Sequence, residues 1–192
     1  MRDALTIDLE EWYHPYEIQR SGVAYDANVR QAPAATIPLL DLLRRYSAHA
    51  TFFTVGEVAQ AHPDLIARML NEGHELAFHG WTHQALWQLS RETFAAEIER
   101  FLAWRDANFP GVPVRGYRAP TFSLDAQTAW AVDVLRDYGF AYDASIFPAR
   151  TTLYGVPEAP QAPYFIRAEA LTGAEDGLRE IPMSVFSAGG LR

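Results

Sequence analysis

Short apolar runs with strand character alternate along this chain with segments whose apolar residues recur every three or four positions. ALTIDL (4–9), ATFFTV (50–55), ELAFH (75–79), a short GYRAP strand near 116–118 and FAYDASIF (140–147) read as strands. Between them the spacing predicts helices through ATIPLLDLLRRY (35–46) and HPDLIARMLNEG (62–73). A further helix opens at Ser90 with Phe94, Ile98, Phe101 and Leu102 on one face, and another runs from about Leu124 to Tyr138, where Gly139 stops it. Alternation of this kind predicts parallel β/α units. After residue 147 the pattern loosens into PARTTLYGVPEAPQAP, read as a long surface loop, and closes with YFIRA and LREIPMSVF as further strands.

The polar residues in this pattern fall at one kind of place. Asp8 and Glu10 lie at the end of the first strand, His79 at the end of the third, Arg118 at the end of the fourth and Asp143 within or at the end of the fifth. In parallel β/α folds the C-terminal strand ends converge on one face, where loops build the site. Residues far apart in sequence can therefore meet in one pocket. Asp8 and Glu10 are two apart, so a strand's period of two points both carboxylates to the same side. His79 and His83 are four apart and face the same way if the segment turns helical after Gly80. Two imidazoles and one carboxylate make an open three-ligand site of the catalytic kind. Zinc is the default ion; Fe(II), Co(II) or Mn(II) would fit the same N/O donor set. Arg118, held extended by the proline that follows Ala119, is positioned to pair with a carboxylate that accepts a proton, with Asp8 as its candidate partner.

Composition narrows the choice further. The chain of 192 residues, 49% hydrophobic and 13% aromatic, can bury a real core and suits one domain or most of one larger domain. With 16 basic against 24 acidic side chains its net charge is −8, and no Lys/Arg-rich run offsets it, which argues against a nucleic-acid partner. There is no cysteine, so any metal must use nitrogen and oxygen ligands. No signal peptide and no run of about 18 apolar residues is visible, which gives a cytoplasmic expectation without a transmembrane segment.

TIDLEEW, HGWTH, RAPTFS and YDASIFP, in this order, resemble successive motifs of the polysaccharide deacetylase family, carbohydrate esterase family four, and most closely its exopolysaccharide-locus branch. The resemblance spans about residues 4 to 150. It implies a distorted (β/α) barrel and metal-dependent hydrolysis of N-acetyl groups from an amino-sugar polymer. Carried over residue by residue, it implies Asp8 as catalytic base, His79 and His83 as metal ligands, Arg118 as the residue orienting the base, and Pro120 and Phe122 as groove wall. The family's second ligand aspartate would fall at position 9, which is Leu here; the period-two argument assigns Glu10 as third ligand. Tyr117, or the backbone beside it, is the candidate oxyanion donor, and Trp12 and Trp81 are candidate sugar-stacking surfaces. The family's general acid is a histidine from a later motif, tuned by an aspartate at the place of Asp143, but no histidine follows His83. Residues 1–192 are thus expected to form one catalytic domain lacking its C-terminal part, with Asp143 facing an open or solvated gap. Competing readings are a carbohydrate-binding pseudoenzyme and a metal-dependent amidase acting on a small cyclic amide.

Overall fold

The computed structural model describes residues 4–22, 24–26 and 29–185. Its strands are β1 (Thr6–Leu9), β2 (Thr51–Thr54), β3 (Glu75–Phe78), β4 (Gly116–Tyr117), β5 (Tyr142–Asp143), β6 (Tyr164–Arg167), β7 (Ala170–Ala174) and β8 (Leu178–Glu180). The helices are α1 (Tyr16–Arg20), α2 (Ala32–Arg45), α3 (Gly56–Ala61), α4 (Pro63–Asn71), α5 (Arg91–Asn108) and α6 (Trp130–Asp137). All eight strands form one sheet in the order β1-β2-β3-β4-β5-β8-β6-β7. Neighbours from β1 through β5 to β8 are parallel, whereas β6 runs antiparallel to both β8 and β7.

The β/α alternation expected from the sequence is present, and the sheet stays open: β1 and β7 are its two edges among the described residues, so the barrel is not closed. YFIRA and LREIPMSVF supply β6 and β8. The strand between them, ALTGA, carries Gly and Ala, which have weak strand preference, and its pairing with β6 holds it as a strand. The short helix α3 also lay outside the predicted elements; the apolar spacing did not separate GEVAQA from the next helix, which Pro63 opens at its first position. The predicted helix from Leu124 begins later, at Trp130. Ahead of it residues 126–129 form a turn, in which the Asp125 carboxylate accepts from Gln127 N at 2.7 Å. Ser90 caps α5 as predicted: its hydroxyl accepts from Thr93 N at 3.2 Å, while Thr93 Oγ1 accepts from Ser90 N at 2.8 Å.

The two faces of the sheet differ. Phe52, Leu76, Phe78 and Tyr117 pack with Leu40, Ile66, Met69, Ile98, Phe101 and Leu135 from the helices in the main core. Burying each large side chain contributes about 1.5–3 kcal/mol. The opposite face carries a small cluster of Phe53, Ala77 and Ala144, with Tyr142 packed on it. Asp8 pairs in register with Phe53 and therefore shares this second face, whereas Leu9, on the alternate side, is buried in the main core. Among the described residues no helix is long and apolar enough to cross a membrane.

Candidate metal and acid–base site

The C-terminal ends of β1, β3 and β4 and the loops that follow them bring five of the sequence motifs' polar residues to one place. Arg118 follows β4 directly and is 3% exposed. Its Nη1 donates to Asp8 Oδ1 at 2.6 Å, its Nη2 to Thr6 Oγ1 at 3.0 Å and its Nε to the Ala144 carbonyl at 3.0 Å. The guanidinium also lies 4.1 Å from the Phe53 ring centroid. An arginine held at this many points fixes the Asp8 carboxylate in one orientation.

His79 follows β3. Its Nδ1 lies 2.7 Å from the Arg118 carbonyl, which only accepts, so Nδ1 carries the proton and Nε2 keeps its lone pair. That Nε2 is 3.9 Å from Asp8 Oδ2. Burial holds the His79 imidazole below its ordinary pKa, with the neighbouring His83 acting the same way and Asp8 opposing it. His83 Nε2 lies 2.8 Å from Glu10 Oε2. Glu10, His79 and His83 each offer one ligand atom, all within 4.8 Å of one another, and form the group of the described residues that could hold a metal ion. The donor set fits a divalent ion: two imidazoles, one of them with its tautomer fixed by a backbone carbonyl, and one carboxylate.

The segment between the histidines is a loop, and helical geometry is not what aligns them. Gly80 has φ 74° and His83 φ 59°, two left-handed residues that turn both imidazoles inward. The Gly80 and Trp81 carbonyls accept from Gly56 N and Glu57 N, each at 3.0 Å, which ties the loop to the start of α3. His14, unassigned from sequence, stacks on His83 with ring centroids 5.8 Å apart and planes 7° apart. Its pKa is pushed down to about 4, by burial first and by the neighbouring His83 second.

Asp8, Glu10, His79 and His83 line a cavity of about 170 Å³ together with Pro15, Tyr16, Glu17, Ala119, Thr121, Phe122 and Tyr154. Phe122 thus stands in the wall, where it meets Tyr154 at 5.3 Å and Phe147 at 6.0 Å between ring centroids. The other candidate substrate contacts lie elsewhere. Trp81 is 3% exposed and fills the space over Gly56, where a Cβ would come within 2.4 Å of its ring. Tyr117 is buried between Phe78 and Phe94, its hydroxyl without a hydrogen-bond partner among the described residues. Pro120 packs on Gly80 and is not among the cavity-lining residues, and Trp12 is exposed, donating from Nε1 to the Val29 carbonyl at 3.1 Å. Apolar alternation cannot tell a core aromatic from a groove aromatic when both follow a strand end. Tyr16 and Tyr154 escaped notice because α1 and the Pro-rich loop carry no periodic signal.

Asp143 does not face an open gap. It is fully buried, accepts from Ser145 Oγ at 2.6 Å and Ser145 N at 3.1 Å, and pairs in register with Glu180 on β8. Its register with Tyr117 puts it on the helix-facing side of the sheet, away from the cavity lining. Glu11, next to the ligand candidate Glu10, is 1% exposed and accepts from Gln31 N at 2.7 Å and Ala32 N at 3.2 Å at the start of α2.

Comparison with known proteins bears on the family and the fold. Peptidoglycan-N-acetylmuramic acid deacetylase PdaC of Bacillus subtilis is 47% identical over 58 residues, covering 30% of this chain and 12% of that protein. A chitooligosaccharide deacetylase of Sinorhizobium fredii is 38% identical over 104 residues, covering 54% of this chain and 45% of that protein. The chain therefore spans about half the length, or less, of these curated relatives. A crystal structure from Mycobacterium smegmatis, assigned to the polysaccharide deacetylases, superposes on 98% of this chain and 65% of its own with TM-score 0.69 at 24% identity, a likeness of fold. The family model described as polysaccharide deacetylase matches residues 19–142, more than half of the chain, and takes in His79, His83 and Arg118. By that match, the chain belongs to the polysaccharide deacetylase family.

Proposed function

We propose that this chain hydrolyses N-acetyl groups from an amino-sugar polysaccharide or oligosaccharide with a divalent metal, by default Zn²⁺, and that it serves exopolysaccharide or cell-wall biosynthesis. One observation carries the reading: an arginine-held carboxylate, Asp8, and a three-ligand group, Glu10, His79 and His83, open into the same cavity. The names of the relatives, which are deacetylases of N-acetylated saccharides, support it.

Glu10, His79 and His83 would hold the ion. When bound, it would supply Lewis-acid chemistry, lowering the pKa of water and polarising an amide carbonyl. Asp8 accepts the proton that a water molecule gives up as it attacks the acetamide carbonyl, and Arg118 keeps its receiving oxygen aimed at the cavity. The same carboxyl can return that proton to the departing nitrogen, since an amine anion cannot leave unaided. Phe122 and Tyr154 form the apolar side of the cavity and shield the reacting group from bulk water.

Acetate release from N-acetylated oligosaccharides, measured beside metal content, tests this reading. The wild type releases acetate only with metal present, and Asp8→Asn keeps the metal while losing turnover. Undiminished hydrolysis by Asp8→Asn would remove Asp8 from its role. Metal binding with no acetate release from any such substrate would favour a carbohydrate-binding pseudoenzyme, and release from a small cyclic amide alone would favour an amidase.

A further inference from the structure

The two imidazoles of the metal group are not held in the same way. The His79 ring is oriented by its own second nitrogen, through the Arg118 carbonyl at 2.7 Å. The His83 ring has no such tie, for its Nδ1 is buried without a hydrogen-bond partner among the described residues. It stands on a left-handed backbone, φ 59°, a conformation that a residue with a Cβ adopts only under strain. Its aim at Glu10 therefore depends on the His14 ring stacked against it and on whatever holds the backbone on its N-terminal side.

That backbone is gripped from α5. Glu97 Oε2 accepts from Trp81 N at 2.9 Å, and the same carboxylate takes a hydrogen bond from the Thr82 side chain. Three residues further along α5, on the same helix face, Arg100 lies 3.8 Å over the centre of the Trp81 ring. One side chain accepting from both Trp81 N and the Thr82 side chain holds the loop at two adjacent points. It offsets the tendency of the loop to relax out of the left-handed region. Glu97 does not line the cavity and is not one of the ligands.

We propose that Glu97 is a positioning residue of the metal group: by fixing the Trp81–Thr82 backbone, it sets where the His83 imidazole points relative to His79 and Glu10. The inference rests on reading Glu10, His79 and His83 as a metal site.

Co²⁺ titration followed by visible absorption, run on wild type, Glu97→Ala, Glu97→Gln and Thr82→Val, tests it. Glu97→Ala is expected to weaken Co²⁺ binding by about 10- to 100-fold, as loss of a partner outside the ligand shell does elsewhere, and to change the ligand-field spectrum. Glu97→Gln keeps an acceptor and recovers most of the affinity and the wild-type spectrum. In metal-free Glu97→Ala, amide hydrogen exchange across residues 80–83 is expected to quicken while that of β2 and α6 stays as in wild type. Should Glu97→Ala not fold, Thr82→Val reads the same effect at smaller amplitude. A folded Glu97→Ala, or a Thr82→Val, with wild-type affinity and spectrum overturns the positioning role and leaves the metal reading standing. A wild type that takes up no Co²⁺ overturns both.

Discussion

Asp8 and Asp143 both stand where a parallel strand ends, yet one faces the cavity and the other the helix layer. The register decides it: Asp8 lies opposite Phe53 on the inner face, Asp143 opposite Tyr117 on the outer one. Asp8, Glu10, His79, His83 and Arg118 were legible because each sits in a motif at a strand end. Asp143 was misplaced because a strand of two residues, Tyr142–Asp143, sets no phase from sequence alone. Trp81 was misplaced for a related reason: nothing in HGWTH says that the indole turns back to cover Gly56. Substitution separates the aromatic roles. Trp81→Ala should cost about 3–5 kcal/mol in chemical denaturation, as other buried aromatic truncations do. Tyr154→Ala, at the cavity wall, should leave the unfolding midpoint nearly in place and raise KM for an N-acetylated oligosaccharide. Ligand truncation separates the metal donors: His79→Ala or His83→Ala should lose most of the bound metal measured by elemental analysis. Glu10→Ala should retain more, because both imidazoles remain; metal retained in full would remove Glu10 from the ligand set.

Between elements, β5 and β8 are joined by an acidic contact. Asp143 and Glu180 are both fully buried and in register, and Glu180 Oε1 also accepts from Ile146 N at 3.1 Å. Burial, and then the facing carboxyl, push Glu180 well above its ordinary value of 4.5; burial likewise raises Asp143. Arg118 opposes both shifts from the inner face, and Tyr117 and Tyr164 are the other titratable groups around the pair. With both values raised, the folded state holds a proton that the unfolded state releases as pH climbs past about 4. The pair's stabilisation is thus complete at low pH and declines as pH rises. Glu180→Gln, which keeps the shape without the charge, should melt less pH-dependently between pH 5 and 8 and gain on the wild type toward the alkaline end. Identical slopes for the two proteins would mean that the pair does not share a proton. The sequence showed LREIP as a strand but could not show that its glutamate meets Asp143. Such a pairing requires knowing that β8 inserts between β5 and β6, and the hairpin through β7 had no visible signal.

For the molecule as a whole, a tightly held ion couples the site to global stability. Metal at 100 times its dissociation constant stabilises the folded state by about 2.7 kcal/mol, which for a chain of this size is roughly 5–10 °C of melting temperature. Calorimetry with and without chelator should show that difference, and His83→Ala should lack it. The fold class was legible because the β/α alternation runs through most of the chain; sheet closure was not, since periodicity describes each strand and says nothing of which edges meet. The contact between Arg118 and Asp8 joins residues 110 positions apart. In the native sheet β2 and β3 lie between β1 and β4, so this contact closes a long loop, and the acid–base pair is expected to complete late in refolding. In stopped-flow refolding from denaturant, far-ultraviolet ellipticity should recover ahead of Co²⁺ uptake. A partly folded chain would then hold helices and no working site, and the appearance of metal binding would time the arrival of the native state.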